Sequence, residues 1–199
     1  LMIRRPPRST RALSSAASYV YKRQVQNSYN ILFMPAFVIN LLSLFVFRPL
    51  LTDLARDWEG ENIKEFTDIV KKMMILIGAL TIAACVGAYL LGIPILSLVY
   101  GVDLRAYRME LVIIMICGGL NAYVYCLYYV VTVTGKQIFL LLGYGAGLIF
   151  AVFLGSGFVK SLGMLGAALS CTLSFGVVFI VFLIITSCVV KDRKKKTEV

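Results

Sequence analysis

From residue 25 onward the chain alternates long apolar stretches with short polar ones. Five of the apolar stretches are long enough to cross the roughly 30 Å hydrocarbon layer of a bilayer, which takes about 20 helical residues. They cover residues 30–52, 73–100, 109–135, 137–159 and 161–190. Arg48 interrupts the first, Glu110 stands at the lip of the third, and the others hold no charge. Alternation of period two is absent, so transmembrane strands do not fit and the pattern predicts an all-α integral membrane protein. Within the second stretch, Gly92-Ile93-Pro94 predicts a break or kink near the helix end, because proline removes a backbone donor and crowds the preceding turn.

The longest internal polar segment, DLARDWEGENIKEFTDIVKKMM, carries a pattern of its own. Asn62 followed by Glu65 three positions later reads as a capping-box start. Ile63, Phe66, Val70 and Met73 then recur at helical spacing, and Asp68 precedes Lys71 and Lys72 at pairing distance. These residues predict an amphipathic helix running into the second span, with Trp58 at the lipid headgroup level.

Composition agrees with the spans: 60% of residues are hydrophobic and 15% charged, and the mean hydropathy is +0.87. Charge sorts the connecting segments into two sides. Leaving out residues 1–24, one side collects eleven Lys and Arg, at positions 48, 56, 64, 71, 72, 136, 191 and 193 to 196, against three on the other, Arg105, Arg108 and Lys160. By the positive-inside rule the basic tail, residues 191–199, is cytoplasmic, and five spans place the start of the first span outside.

That orientation would put the six basic residues of LMIRRPPRSTRALSSAASYVYKRQ on the external face, against the same rule. The stretch closely resembles the conceptual translation of a ligated sequencing adapter. Residues 1–24 are therefore expected to be an artefact with no fold, and further protein sequence is expected upstream of Val25. Without them the net charge falls from +10 to +4, so the basicity gives no reason to expect a nucleic-acid partner.

No catalytic constellation emerges. Histidine is absent, and Cys85, Cys117, Cys126, Cys171 and Cys188 lie in apolar spans without metal-ligand spacing. Gly143, Gly145 and Gly147 in LLGYGAGL do not match a dinucleotide fingerprint. Like Gly163, Gly166, Ala167 and Ser170 in SLGMLGAALS, they read as small residues that let helices approach closely. No cofactor, no metal and no covalent chemistry is expected. The polar residues inside the spans are few. Arg48 either snorkels to headgroups or faces a cavity as a cation. Asn40 and Ser43 share a helical face and read as interhelical hydrogen-bond formers. Asn121, Tyr125 and Tyr128 stand at i, i+4 and i+7 on the third span, where they pack against neighbouring helices or line a polar cavity.

FRPLLTDLARDW, FTDIVKKM, GIPILSLVYGVDLRAY, VTGKQ and SLGMLGAALS occur in this order. In order and spacing they resemble the C-terminal half of bacterial polysaccharide-unit flippases of the O-antigen type. These belong to the multidrug, oligosaccharidyl-lipid and polysaccharide exporter superfamily. The resemblance runs from Val25 to Val199 and implies that the five spans form a partial C-terminal bundle of a two-bundle transporter in the bacterial cytoplasmic membrane. It implies a lipid-linked oligosaccharide as substrate, moved by alternating access, with membrane lipids and an N-terminal half of the same chain as partners. Arg48, Asn40, Asn121, Tyr125 and Tyr128 are the candidate substrate-binding residues. A cation-coupled drug exporter of the same superfamily is the alternative, and it would need an intramembrane carboxylate to bind its ion. A membrane-embedded glycan-processing enzyme is a third reading, for which Asp103, Arg105, Arg108 and Glu110 supply the external polar groups.

Overall fold

A computed structural model describes the backbone of residues 8–197, and the side chains of residues 23–195 apart from Leu154. The described residues are helical almost throughout, with no strand among them. The protein is a multi-pass, all-α membrane bundle, with long apolar helices of spanning length. Helix α1 is Arg8–Glu59. Helix α2, Ile63–Gly87, widens into one π-turn at Ala88–Gly92 and continues as α3, Ile93–Tyr100. Helix α4 is Arg108–Val133, and α5 is Ile138–Thr197.

Residues 1–7, part of the stretch expected to have no fold, lie outside the described residues. From Arg8 the backbone is helical and continuous with α1. Alanine, leucine and arginine, which occur in this stretch, extend a helix readily once its nucleus exists.

The expected kink at Gly92-Ile93-Pro94 takes a milder form. The helix does not break; the π-turn immediately ahead of Pro94 absorbs the missing donor and the ring. Gly92 leaves room there for α4: a Cβ would stand 2.7 Å from Leu111 Cδ2, and that side chain would have to shift. Gly101 then closes α3 in the left-handed conformation, at φ 65° and ψ 22°.

Helix α5 is two spans, not one. At Gly163 the backbone leaves helical geometry, with φ 59° and ψ −125°, and the chain folds back on itself. Gly143 faces Phe182, Gly147 faces Val178 and Gly155 faces Ser170, pairs that step in opposite directions along the sequence. The two limbs, 138–162 and 164–197, are therefore an antiparallel hairpin. Its turn lies three residues beyond Lys160, which belongs to the first limb. Residues 191–197, read from sequence as a tail, continue the second limb as helix.

Helix α4 is the centre of the bundle. Of its most apolar stretch 56% is buried by other helices, against 11% for α2 and 17% for the second limb of α5. Gly118 meets Ala36 of α1 and Gly119 meets Thr81 of α2 on neighbouring faces of α4. Tyr123 reaches between Gly78 of α2 and Phe179 of the second limb. Around this hub lie Leu32, Phe47, Met73, Ile77, Leu111 and Ile114, all buried.

One end of the bundle gathers the corner between α1 and α2, the turn at 134–137 and the end of α5. There Arg193 lies 3.6 Å from Glu61 and 5.1 Å above the Trp58 ring, and Lys136 lies 4.0 Å from Asp192. This is the basic end. At the opposite end Arg108 sits 5.0 Å over the Tyr89 ring, and the Arg105 amide donates to Asp103 Oδ1 at 3.1 Å.

The amphipathic start of α2 forms: of the four predicted positions Phe66 and Met73 are buried and Ile63 and Val70 are half-buried, Ile77 extends the buried side, and Asp68 and Lys71 pair at 3.6 Å on the exposed side. Asn62 does occupy the N-cap, but its side chain makes no capping hydrogen bond. Glu61 turns the chain through φ 60°, and the Asn62 amide nitrogen lies back toward Gly60 instead of over the first turn. The Asn62 carbonyl still accepts from the Phe66 amide at 3.0 Å.

Candidate functional site

Helices α1 and α4 both run toward the basic end, and their contact at Ala36 and Gly118 sets their relative depth. Asn40 lies one turn on from Ala36, at about the depth of Ala122 and within one residue of the depth of Asn121. Arg48, three turns on, falls near the depth of Tyr128 to Val130. Four of the five candidate residues are thus spread over two turns of the bundle, with Arg48 closing the series on the side of the basic end.

Their environments differ. Arg48 is exposed and makes no ion pair among the described residues. Asn40 is half-buried; its Nδ2 donates to Ala36 O of its own helix at 3.2 Å, and its Oδ1 is buried without a partner. Ser43, on the same face, is buried and its hydroxyl likewise has no partner. The expectation that these two join helices by hydrogen bonds is therefore corrected. The approach of α1 to α4 is made by Ala36 against Gly118, which brings no polar atom of α4 into reach.

Asn121 is half-buried and Tyr125 is 41% exposed. Tyr128 is half-buried, with its ring edge-on to Tyr129 at 5.4 Å and against the cluster of Leu127, Val178 and Phe182. Among the described residues neither tyrosine hydroxyl has a protein partner, and no hydrogen bond or ring contact joins any two of the five candidates. Their shared property is that they carry polar groups at spanning depth that the bundle leaves unengaged.

Sequence reasoning missed several polar positions. Thr81 on α2 and Thr186 on the second limb of α5 each hold a buried hydroxyl without a partner; a single threonine in an apolar run has no pattern to betray it. Asp57, at the basic end of α1, is only 4% exposed, with Arg56 Nε 4.0 Å away. Cys117 and Cys171, 54 residues apart in sequence, bring their sulfurs to 3.3 Å across α4 and the second limb. No group of three or more possible metal ligands occurs among the described residues.

In comparisons with known proteins, no family model matches the chain, nor does any curated protein or solved structure.

Proposed function

We propose that the chain is part of a flippase that carries an undecaprenyl-pyrophosphate-linked oligosaccharide across the bacterial cytoplasmic membrane, with its basic end in the cytoplasm. The observation that carries this reading is Arg48, a permanent cation on a membrane span with no carboxylate beside it among the described residues. A charge at such a position is costly unless it serves an anion or reaches the headgroups. A pyrophosphate is an anion whose two phosphate groups suit a guanidinium fork. Asn40, Asn121, Tyr125 and Tyr128, at or above its depth, offer the neutral hydrogen-bonding groups that sugars need. The resemblance of five sequence blocks, in order, to those of polysaccharide-unit flippases supports the same assignment, and the eleven-to-three distribution of basic residues supports the orientation.

The reaction needs no bond to form or break. The oligosaccharide head would enter between two bundles, the lipid tail would stay in the membrane, and rocking of the bundles would alternate access. Leaflet exchange of a fluorescent polyprenyl-diphosphate oligosaccharide, in vesicles holding the protein that carries this chain, tests the reading. Exchange well above protein-free vesicles is expected, with background rates for Arg48→Ala and an intermediate rate for Arg48→Lys, which keeps the charge and loses the fork. An unchanged rate for Arg48→Ala, at equal insertion, removes Arg48 from the site. Ion-driven movement of a lipophilic drug in place of the glycolipid replaces the reading with that of a drug exporter.

A further inference from the structure

A groove of about 510 Å³ runs between α2 and the second limb of α5 at the basic end, a size usual for small-ligand sites. Met74, Ile75, Leu127 and Leu183 form its apolar walls. Two charged side chains line it, Lys71 and Lys191, and no carboxylate does. In the polar basin just beyond its mouth Lys64, Lys71 and Lys194 are matched by Glu61, Glu65 and Asp68, so of the two groove cations Lys71 is shared with that basin and Lys191 is the excess positive charge.

Lys71 Nζ lies 3.6 Å from Asp68 Oδ1. Its ammonium is thereby drawn one turn toward the basic end, with two of its three donors left for another partner. Deeper in the groove stands Thr186, 9% exposed, whose hydroxyl has no hydrogen-bond partner. At this depth there is no bulk water to serve it. Thr186 precedes Lys191 by five residues, which sets it about 7.5 Å farther from the basic end along the helix.

We propose that this groove holds one anionic glycerophospholipid. Its phosphate lies at Lys71 and Lys191, one acyl chain follows the wall from Met74 to Leu183, and an ester carbonyl accepts the hydrogen bond that Thr186 gives once a turn about χ1 exchanges its buried hydroxyl with the methyl at the groove wall. The ester decides between lipid classes. A glycerophospholipid carries carbonyl oxygens just below its phosphate, where Thr186 stands, whereas a polyprenyl diphosphate has only hydrocarbon there. The proposal does not rest on the transport reading; it needs only the groove, the two cations and the orphan hydroxyl.

Native mass spectrometry of the full chain, released from micelles containing equimolar phosphatidylglycerol and phosphatidylethanolamine, tests it. One phosphatidylglycerol should be retained in preference. Lys71→Gln and Lys191→Gln should each lower its retention about fivefold, the effect of one cation near an anionic lipid surface. Arg105→Gln and Lys160→Gln, at the opposite end, should leave it unchanged. Diester phosphatidylglycerol should be retained about three- to tenfold better than its diether analogue, as expected for one hydrogen bond, and Thr186→Val should erase that difference. Both lysines are solvent-exposed, so their variants fold, and Thr186→Val keeps the side-chain volume. Equal retention of the two headgroups, or of diester and diether in the unmodified chain, overturns the proposal. So does complete displacement of phosphatidylglycerol by an equimolar polyprenyl diphosphate, or a lipid-free dimer of the chain.

Discussion

Replacing Gly163 by alanine isolates the backbone contribution to the α5 hairpin. The residue stands at φ 59° and ψ −125°, the geometry of the first central position of a type II′ turn, which requires glycine. A Cβ added there meets nothing within 4 Å, so any cost is conformational and not a clash. A side chain held in such a region costs up to about 3 kcal/mol. Alanine also narrows the unfolded chain, which returns about 0.4–1 kcal/mol. The balance is about 2 kcal/mol, a factor of about 30 in the equilibrium between docked and undocked limbs. Gly101 is the internal control. It too has open space around it, but at φ 65° and ψ 22° it occupies the ordinary left-handed region that asparagine tolerates, so Gly101→Asn should cost less than about 1 kcal/mol.

The sole tryptophan is well placed to read the result. Trp58 packs 5.0 Å from Phe66 and beneath Arg193 of the second limb, so undocking of that limb strips the cation from one ring face. Titration of the micellar protein with dodecyl sulfate, followed by Trp58 emission, should show Gly163→Ala and Gly163→Asn undocking at clearly lower detergent fraction. Gly101→Asn should follow the unmodified chain. If Gly163→Ala undocks together with the unmodified chain, the bend is not at Gly163 and the antiparallel pairing of the limbs fails with it.

The 3.3 Å approach of the Cys117 and Cys171 sulfurs predicts that copper phenanthroline, which takes up the two electrons as two protons are released, joins α4 to the second limb. Peptide mapping without reductant should find that pair linked, with Cys85 and Cys126 still free. Single cysteines at Lys136 and Lys160 in a cysteine-free background should react with an impermeant thiol reagent from opposite sides of the membrane: Lys160→Cys in intact cells, Lys136→Cys only after permeabilisation. The reverse pattern would invert the orientation.

The sequence was most legible where one physical rule acts alone. Apolar length gives the spans, and the spacing of Phe66, Val70 and Met73 gives the buried side of α2, because both depend on the segment itself. Where two distant segments decide together, legibility fails. Gly118 and Gly119 sit side by side in the middle of a span, and nothing local says that one receives Ala36 and the other Thr81. The cap at Asn62 shows the boundary between the two regimes. The residue type marks the helix start correctly, and the conformation of Glu61, set by the return of the chain from α1, decides where the side chain points. Of the candidate site, the residues could be named but not their surroundings, because a lone polar residue in a span reads the same whether a neighbour, a ligand or a headgroup answers it.

The two glycines of α4 also explain why the bundle is built unevenly. With no Cβ at 118 or 119, the backbones of α1 and α2 close onto adjacent faces of α4 through Ala36 and Thr81, and close backbone approach is the main source of helix affinity inside lipid. The hairpin docks differently. Nearer Gly163 its second limb meets α4 through small residues, Cys171 at 3.3 Å from Cys117 and Thr172 Oγ1 donating to the Ile113 carbonyl at 3.5 Å; toward the basic end it meets α4 and α2 through large side chains, with Phe179 against Tyr123, and Val178 and Phe182 in one cluster with Leu127 and Val131. Side chains of that size have several rotamers and bridge a range of separations, whereas an alanine on a glycine has one fit. Helices α1 and α4, joined through Ala36 and Gly118, carry Arg48, Asn40, Asn121, Tyr125 and Tyr128. The groove at Lys71, Lys191 and Thr186 lies between α2 and the second limb at the basic end, so a lipid seated there bridges two helices that touch each other little directly and are joined mainly through α4.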